Sequence, residues 1–274
     1  MRLRIVDYGL WIGLLSILAC SAGAVEGPIQ DKLKLENPFF PFCVEVPEAT
    51  LNELGYAPIQ AIWPAINVDK TPAYDNKVIA TIQRLKGTDT VLWIMVKGRR
   101  QGASGDKDEK AVKALRELAD IAKGVGVRFS IYPHTGFYLA TTGEALRIVK
   151  KVDRPNVGLT LNLCHELMTD GMDGLAETVK AAAPHLFVVT INGADRKERG
   201  KKASWKQLIQ PLGQGSYDVY GFLKTVTAAG FNGPIGLQCY GLPGALGGKK
   251  GDPLPHLTQS MQAWKDYAKR MSAE

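Results

Sequence analysis

The sequence predicts a single (β/α)8 barrel, and three observations carry that expectation. Short apolar runs alternate with amphipathic stretches along most of the chain, the pattern of a parallel sheet wrapped by helices. Most of the runs are apolar throughout, as in Val91-Leu92-Trp93-Ile94-Met95-Val96, which suits strands buried on both faces. No run is followed by the glycine fingerprint of an open nucleotide-binding sheet. The 274 residues also fit a barrel, for which about 250 is typical. With 45% hydrophobic and 22% charged residues, the chain can bury a full core without disulfide or metal staples.

The amino terminus has a different character. Arg2 and Arg4 precede an apolar run over 10–19 and the small residues of 21–24, which is the build of a secretory signal over residues 1–24. Two processing routes are open. Ala22-Gly23-Ala24 is a site for simple cleavage, and Ile17-Leu18-Ala19-Cys20 has the form of a bacterial lipobox ending on a lipidated cysteine. The apolar run is short of the ~20 residues that span a bilayer. The expectation is therefore an exported protein, periplasmic or tethered through Cys20, with the barrel over 25–274 and no domain boundary inside it.

The strands are expected at 39–46, 58–64, 90–96, 128–132, 157–163, 186–191, 208–211 and 235–239. The clearest helices are expected at 108–123, 143–151, 174–183, 217–229 and 257–270, with Gly124, Gly126 and Gly230 where helix-ending glycines belong. The first βα connection is short, so residues 47–55 read as a single helical turn. The glycine-rich stretch 241–251 reads as a mobile loop over the barrel mouth.

A barrel of this kind carries its pocket at the carboxyl ends of its strands, so the polar residues just past each apolar run are the candidate ligands. They are Glu45, Trp63, Lys97, Tyr132, His134, Asn162, His165, Thr190, Asn192, Gln238 and Tyr240. Two of the four histidines, His134 and His165, fall at neighbouring strand ends, and histidine is the natural acid or base near neutral pH. With Tyr132 they form the candidate catalytic set. The carboxamides Asn162, Asn192 and Gln238 match the alternating hydroxyls of a sugar, Trp63 and Tyr240 offer faces for stacking, and Glu45 and Lys97 complete the binding set. His185 and His256 read as structural.

The net charge of +7 collects at 97–100 and 196–202, among glycine and polar residues typical of solvated loops. The aromatic interleaving that single-stranded nucleic acid needs is missing, so nucleic acid is rejected as a partner in favour of a small carbohydrate. Simple cleavage would leave Cys43, Cys164 and Cys239, an odd number in apolar runs, which reads as buried free thiols.

These residues also carry a family likeness. Ile131-Tyr132-Pro133-His134, Arg154-Pro155-Asn156-Val157-Gly158 followed by 162–165, Pro211-Leu212-Gly213-Gln214-Gly215 with Asp218, and 230–235 resemble the sugar isomerase and epimerase superfamily with a xylose-isomerase-like TIM barrel. The resemblance implies a divalent cation held by Glu, Asp, His and Glu at strand ends, with the two glutamates moving a proton beside a carbonyl. This sequence departs at each point. Tyr132 stands at the first glutamate, Asn162 at the aspartate and Gln238 at the last glutamate, and the histidine is missing from Thr190-Ile191-Asn192. A weak alternative of Asn162, His165 and Gln238 is what remains for a metal, because neutral oxygens lack the charge that makes such a site tight.

Two functions follow as expectations. The leading one is an enzyme that abstracts a proton beside the carbonyl of an unphosphorylated sugar or keto-sugar derivative, giving isomerisation, epimerisation or elimination. The other is a catalytically degenerate, carbohydrate-binding barrel. A nucleophilic Cys164 beside His165 is a minor third, disfavoured because adjacent residues on a strand face opposite ways.

Overall fold

The computed structural model describes residues 33–88, 90–99, 105–169 and 173–274; the expected signal over 1–24, with Cys20, lies outside the described residues. Eight parallel strands form a nearly closed barrel, with helices between them on the outside. In chain order the first half runs β1 (Phe39–Phe42), α1 (Glu48–Leu54), β2 (Ala61–Ile62), β3 (Ala65–Asn67), α2 (Asn76–Arg84), β4 (Val91–Lys97), α3 (Asp108–Gly124), β5 (Phe129–Ile131) and α4 (Thr142–Val152). The second half runs β6 (Val157–Asn162), α5 (Leu163–Thr169), α6 (Leu175–Ala182), β7 (Leu186–Ile191), α7 (Trp205–Leu208), α8 (Val219–Ala228), β8 (Ile235–Gln238) and α9 (Leu254–Ala273).

Around the barrel the order is β1-β8-β7-β6-β5-β4-β2, with β3 also on β4. β2 and β3 follow one another along β4 in a single register, Ala61 opposite Val91 and Asn67 opposite Lys97. They are one strand path interrupted at Trp63-Pro64, where proline has no N–H to give to the ladder. Its carbonyl still accepts the Met95 N–H at 3.0 Å. Between β1 and β2 the wall is joined by the Ala57 N–H donating to the Phe39 carbonyl at 2.7 Å.

The strand expected at 208–211 does not form. Ser204-Trp205-Lys206-Gln207 is a capping-box sequence, and the Gln207 side chain accepts from the Ser204 N–H at 2.9 Å, which starts α7 instead. Only an antiparallel bridge between Gly193 and Gln210 remains of that strand, and β7 pairs directly with β8. The first strand also ends early. Cys43 takes a left-handed φ of 61°, turning the chain so that Val44 bridges Ala245. The connection after it is longer than the single turn expected, because α1 spans 7 residues. The 241–251 loop is tied to β1, with the Leu246 N–H donating to the Cys43 carbonyl at 2.8 Å.

Strand alternation sorts the side chains into two packed regions. One, between sheet and helices, holds most of the aliphatic core, including Leu92, Ile94, Leu115, Leu159 and Leu237. The other fills the barrel with Phe40, Phe42, Trp93, Tyr132 and Val188. Cys164 and Cys239 are buried free thiols as expected, whereas Cys43 is free but only half-buried, at the turn that ends β1. Among the described residues no helix is long and apolar enough to cross a membrane.

A buried charge fastens α3 to α4. Asp108, 2% exposed, pairs with Arg147 Nε and Lys151 Nζ, both at 2.8 Å, and accepts from the Tyr138 hydroxyl at 2.8 Å. Burial alone would raise its carboxyl, but the hydrogen bonds from Arg147, Lys151 and Tyr138 overcome it and bring the pKa down to about 2. The folded pKa is below the unfolded one, so this stabilisation is present above about pH 4 and fades as pH falls through about 2. D108N is expected to lower the urea midpoint at pH 7, with a smaller loss at pH 3, read from parallel unfolding curves.

Candidate active site

The inward positions of the strands converge at their carboxyl ends on a cavity of about 280 Å³. Trp93 and Tyr132 stack beneath it, ring centroids 5.0 Å apart, and Phe42 meets Trp93 edge-on at 4.8 Å. Six of the residues singled out from sequence line this one cavity: Trp63, Tyr132, His134, His165, Gln238 and Tyr240.

The two histidines are adjacent, ring centroids 4.2 Å apart. Their backbone partners assign complementary tautomers. His134 Nδ1 lies 2.8 Å from the Thr135 carbonyl, which can only accept, so Nδ1 carries the proton and Nε2 keeps its lone pair. His165 Nδ1 lies 3.3 Å from both the Thr135 backbone N–H and the Thr135 hydroxyl; the N–H can only donate and the hydroxyl can do so as well, so Nδ1 accepts and Nε2 carries the proton. One residue, Thr135, thereby sets one ring as an acceptor at Nε2 and the other as a donor.

Burial pushes both rings towards the neutral form. His134 is lowered by burial and further by the charge of Lys97, against the hydrogen bond from its ring to Thr135. His165 is held well below the usual histidine value by burial, with His134 adding to the effect. Both are neutral at pH 7. The Tyr132 hydroxyl, raised well above its ordinary value by burial, stays protonated.

His165 is on α5 and not beyond a longer strand as expected, since β6 gives way to helix at Leu163. The helix places Cys164 away from the cavity, fully buried, its thiol donating to Asn162 Oδ1 at 3.2 Å. Burial raises that thiol far above its ordinary range, so the nucleophilic thiolate is disfavoured.

The other expected ligands lie elsewhere. Asn162 is fully buried beside Tyr132, its Nδ2 without a hydrogen-bond partner. Asn192 is turned to the chain itself, its Nδ2 donating to the carbonyls of Gly193 at 2.7 Å and Leu208 at 2.6 Å. It anchors α7 to the end of β7, and Gly193 must stay small there, because a Cβ would sit 2.1 Å from the Pro211 carbonyl. Thr190 is fully buried. Glu45 is exposed and opens onto an adjoining groove between β1 and the segment leading to β2, which shares Phe42, Cys43, Trp63 and Leu246 with the cavity. Lys97 is not part of the cavity lining, but its Nζ lies 5.3 Å from the centroid of Phe137, which is. His256 is held by the Pro243 carbonyl at 3.1 Å, and His185 precedes β7 at the far end of the barrel.

Sequence reasoning missed Phe137, Trp205, Ile209 and Leu246, which also line the cavity. Phe137 stacks on His134 at 4.3 Å and Trp205 meets His165 edge-on at 5.2 Å. They come from loops and from α7, so inspection of strand ends could not find them. The capping box at 204–207 was the signal for Trp205.

The donors here do not fit a tightly held divalent cation. No carboxylate lines the cavity, and no group of three His, Cys, Asp or Glu suited to a metal occurs among the described residues. The oxygens at the expected ligand positions are already engaged: Gln238 Oε1 accepts the Tyr240 N–H at 3.0 Å and Asn162 Oδ1 accepts the Cys164 thiol. A hard dication is bound by charged oxygens, and neutral ones already in use leave it poorly held.

A parallel barrel with a histidine-bearing cavity at its carboxyl end is the class that fold and site define. The chain belongs to the xylose isomerase-like TIM barrel family, whose pattern it matches over residues 69–267. In sequence it is similar to a 3-dehydroshikimate dehydratase of Pseudomonas aeruginosa, 30% identical over 130 residues, 46% of this chain. That stretch is 20% of the relative's length.

Solved structures with the same fold include the 3-keto-D-glucoside 4-epimerase YcjR of E. coli, with a TM-score of 0.58 at 14% identity, over 80% of this chain and 82% of the other. They also include the D-psicose 3-epimerase of Clostridium cellulolyticum with D-tagatose, TM-score 0.54 at 16% identity, over 82% and 92% of the two chains. A third is the IolI protein with a bound zinc atom, TM-score 0.57 at 19% identity, over 78% and 76%.

Proposed function

We propose that this chain is an enzyme of the sugar isomerase and epimerase kind, exported from the cell, that moves a proton beside the carbonyl of an unphosphorylated sugar or keto-sugar derivative without a tightly held metal. The observation that carries the reading is the pair of neutral histidines with opposite Nε2 roles in one cavity. The epimerases of the same fold and the dehydratase relative support this general kind of chemistry.

His134 Nε2 takes the proton from the carbon next to the carbonyl, and the electron pair moves onto the carbonyl oxygen. His165 Nε2–H donates a hydrogen bond to that oxygen as its charge develops. Delivery of a proton from solvent to the opposite face of the same carbon, with His134 releasing its own to solvent, gives an epimer, and delivery of the abstracted proton to the carbonyl carbon, with transfer between oxygens, gives an isomer. Departure of a β-hydroxyl that takes up a proton gives elimination of water. Phe137 and Trp205 shield the pair in part, and the Gln238 amide and the Tyr132 hydroxyl are the polar groups that orient the substrate.

A carbohydrate-binding protein is the second reading, favoured by one observation, the neutral residues at all the carboxylate positions. Solvent deuterium exchange into a panel of neutral sugars and keto sugars separates the two. Exchange at one C–H position of one substrate supports the enzyme; saturable binding with no exchange in any of them rejects it and leaves the binder.

A further inference from the structure

We infer that the ligand of this cavity carries a carboxylate, recognised by Lys97; the inference rests on the substrate reading above and narrows it to acidic sugar derivatives. Along β4, Trp93 and Met95 face into the barrel, the first within its packed interior and the second in the cavity lining. Side chains alternate along a strand, so Lys97 is the next inward position. Its Nζ lies over Phe137, which lines the cavity and stacks on His134, so a single aromatic ring links the ammonium to the nearer histidine. The effect of Lys97 on His134 shows that its charge is felt there.

This cation has no ion-pair partner among the described residues, whereas Lys107, Lys113, Lys151 and Lys224 each pair with a carboxylate. No acid lines the cavity below it either. Lys97 is half-buried, and a cation partly removed from water beside an apolar lining is stabilised by an anion brought in with the ligand. The substituted positions act in the same direction. Tyr132, Asn162 and Gln238, neutral where the family resemblance calls for carboxylates, remove the negative charges that would repel such a ligand. A lone lysine supplies one positive charge, which balances one carboxylate and leaves the further charge of a phosphate without a partner.

The binding of matched pairs by the full-length protein, glucuronate with glucose and galacturonate with galactose, with glucose 6-phosphate as a third arm, tests this by calorimetry. The acid of a pair is expected to bind on the order of tenfold or more tightly than its neutral partner. The ratio is expected to fall towards one in Lys97→Gln and to survive in Lys97→Arg, with the melting temperature reporting that both variants fold. Equal binding of acid and neutral sugar, preference for the phosphate, or an acid preference unchanged in Lys97→Gln would overturn it. Acid preference without deuterium exchange would leave this inference standing and remove the catalytic reading; exchange confined to neutral sugars would do the reverse.

Discussion

Replacing His134 with glutamine lowers the rate of solvent deuterium exchange by about 10²- to 10⁴-fold, the contribution expected of a positioned general base. Glutamine keeps a donor and an acceptor in that position but cannot take the proton. His134 lies between Phe137 and His165, at 4.3 and 4.2 Å, and glutamine fills part of that gap, so the fold survives. The pH profile adds a second readout. Burial and Lys97 lower the pKa of His134, so the base form is complete at pH 7 and is lost only as pH falls through a value below 6.5. The wild-type rate is therefore flat near neutrality with an acid limb below pH 6.5, and that limb is absent from the residual rate of H134Q. A limb that persists unchanged in the variant would assign the base elsewhere.

Trp93→Ala has the largest effect on stability, a loss of about 3–5 kcal/mol. Trp93 is fully buried at the centre of the barrel and touches Phe40, Phe42, Trp63 and Tyr132. Three strand paths would lose a shared partner at once. Set against a total stability of roughly 5–15 kcal/mol, the loss is visible as a large drop in urea midpoint. The indole Nε1 has no hydrogen-bond partner, so W93F removes an unsatisfied donor along with volume and costs less than W93A. A W93F variant as unstable as W93A would mean that the indole is held by something other than packing. Because Tyr132 rests on Trp93, W93A also loosens the cavity floor, and exchange falls in any molecules that remain folded.

The parallel barrel was legible because a strand buried on both faces leaves an unbroken apolar run. Val91–Lys97 and Leu186–Ile191 stand almost where the runs place them. What misled was chain that is apolar for another reason. Leu208 and Ile209 are buried because α7 and the chain after it fold over the cavity, not because they belong to a ladder. Trp63-Pro64 reads as continuous strand, and only the missing proline donor divides it.

The site followed the same rule. Residues that alternation turns inward at the last position of a strand or just past it, such as Tyr132 and Gln238, were found from their place in the runs. Asn192 satisfies that rule too, yet its amide is taken by two backbone carbonyls, a commitment that depends on where α7 docks. The tautomers of His134 and His165 depend on which face of Thr135 each ring meets, and no spacing in the sequence encodes that.

On the proposed mechanism the histidine pair, and not a metal, moves the proton. The most direct test is deuterium exchange into a responsive sugar substrate, measured before and after exhaustive chelation, with metal content determined on the same samples and H134Q in parallel. Exchange is expected to be unchanged by chelation and severely reduced in H134Q. Exchange that disappears with a stoichiometric metal and returns on adding it back, while H134Q keeps the wild-type rate, would contradict it.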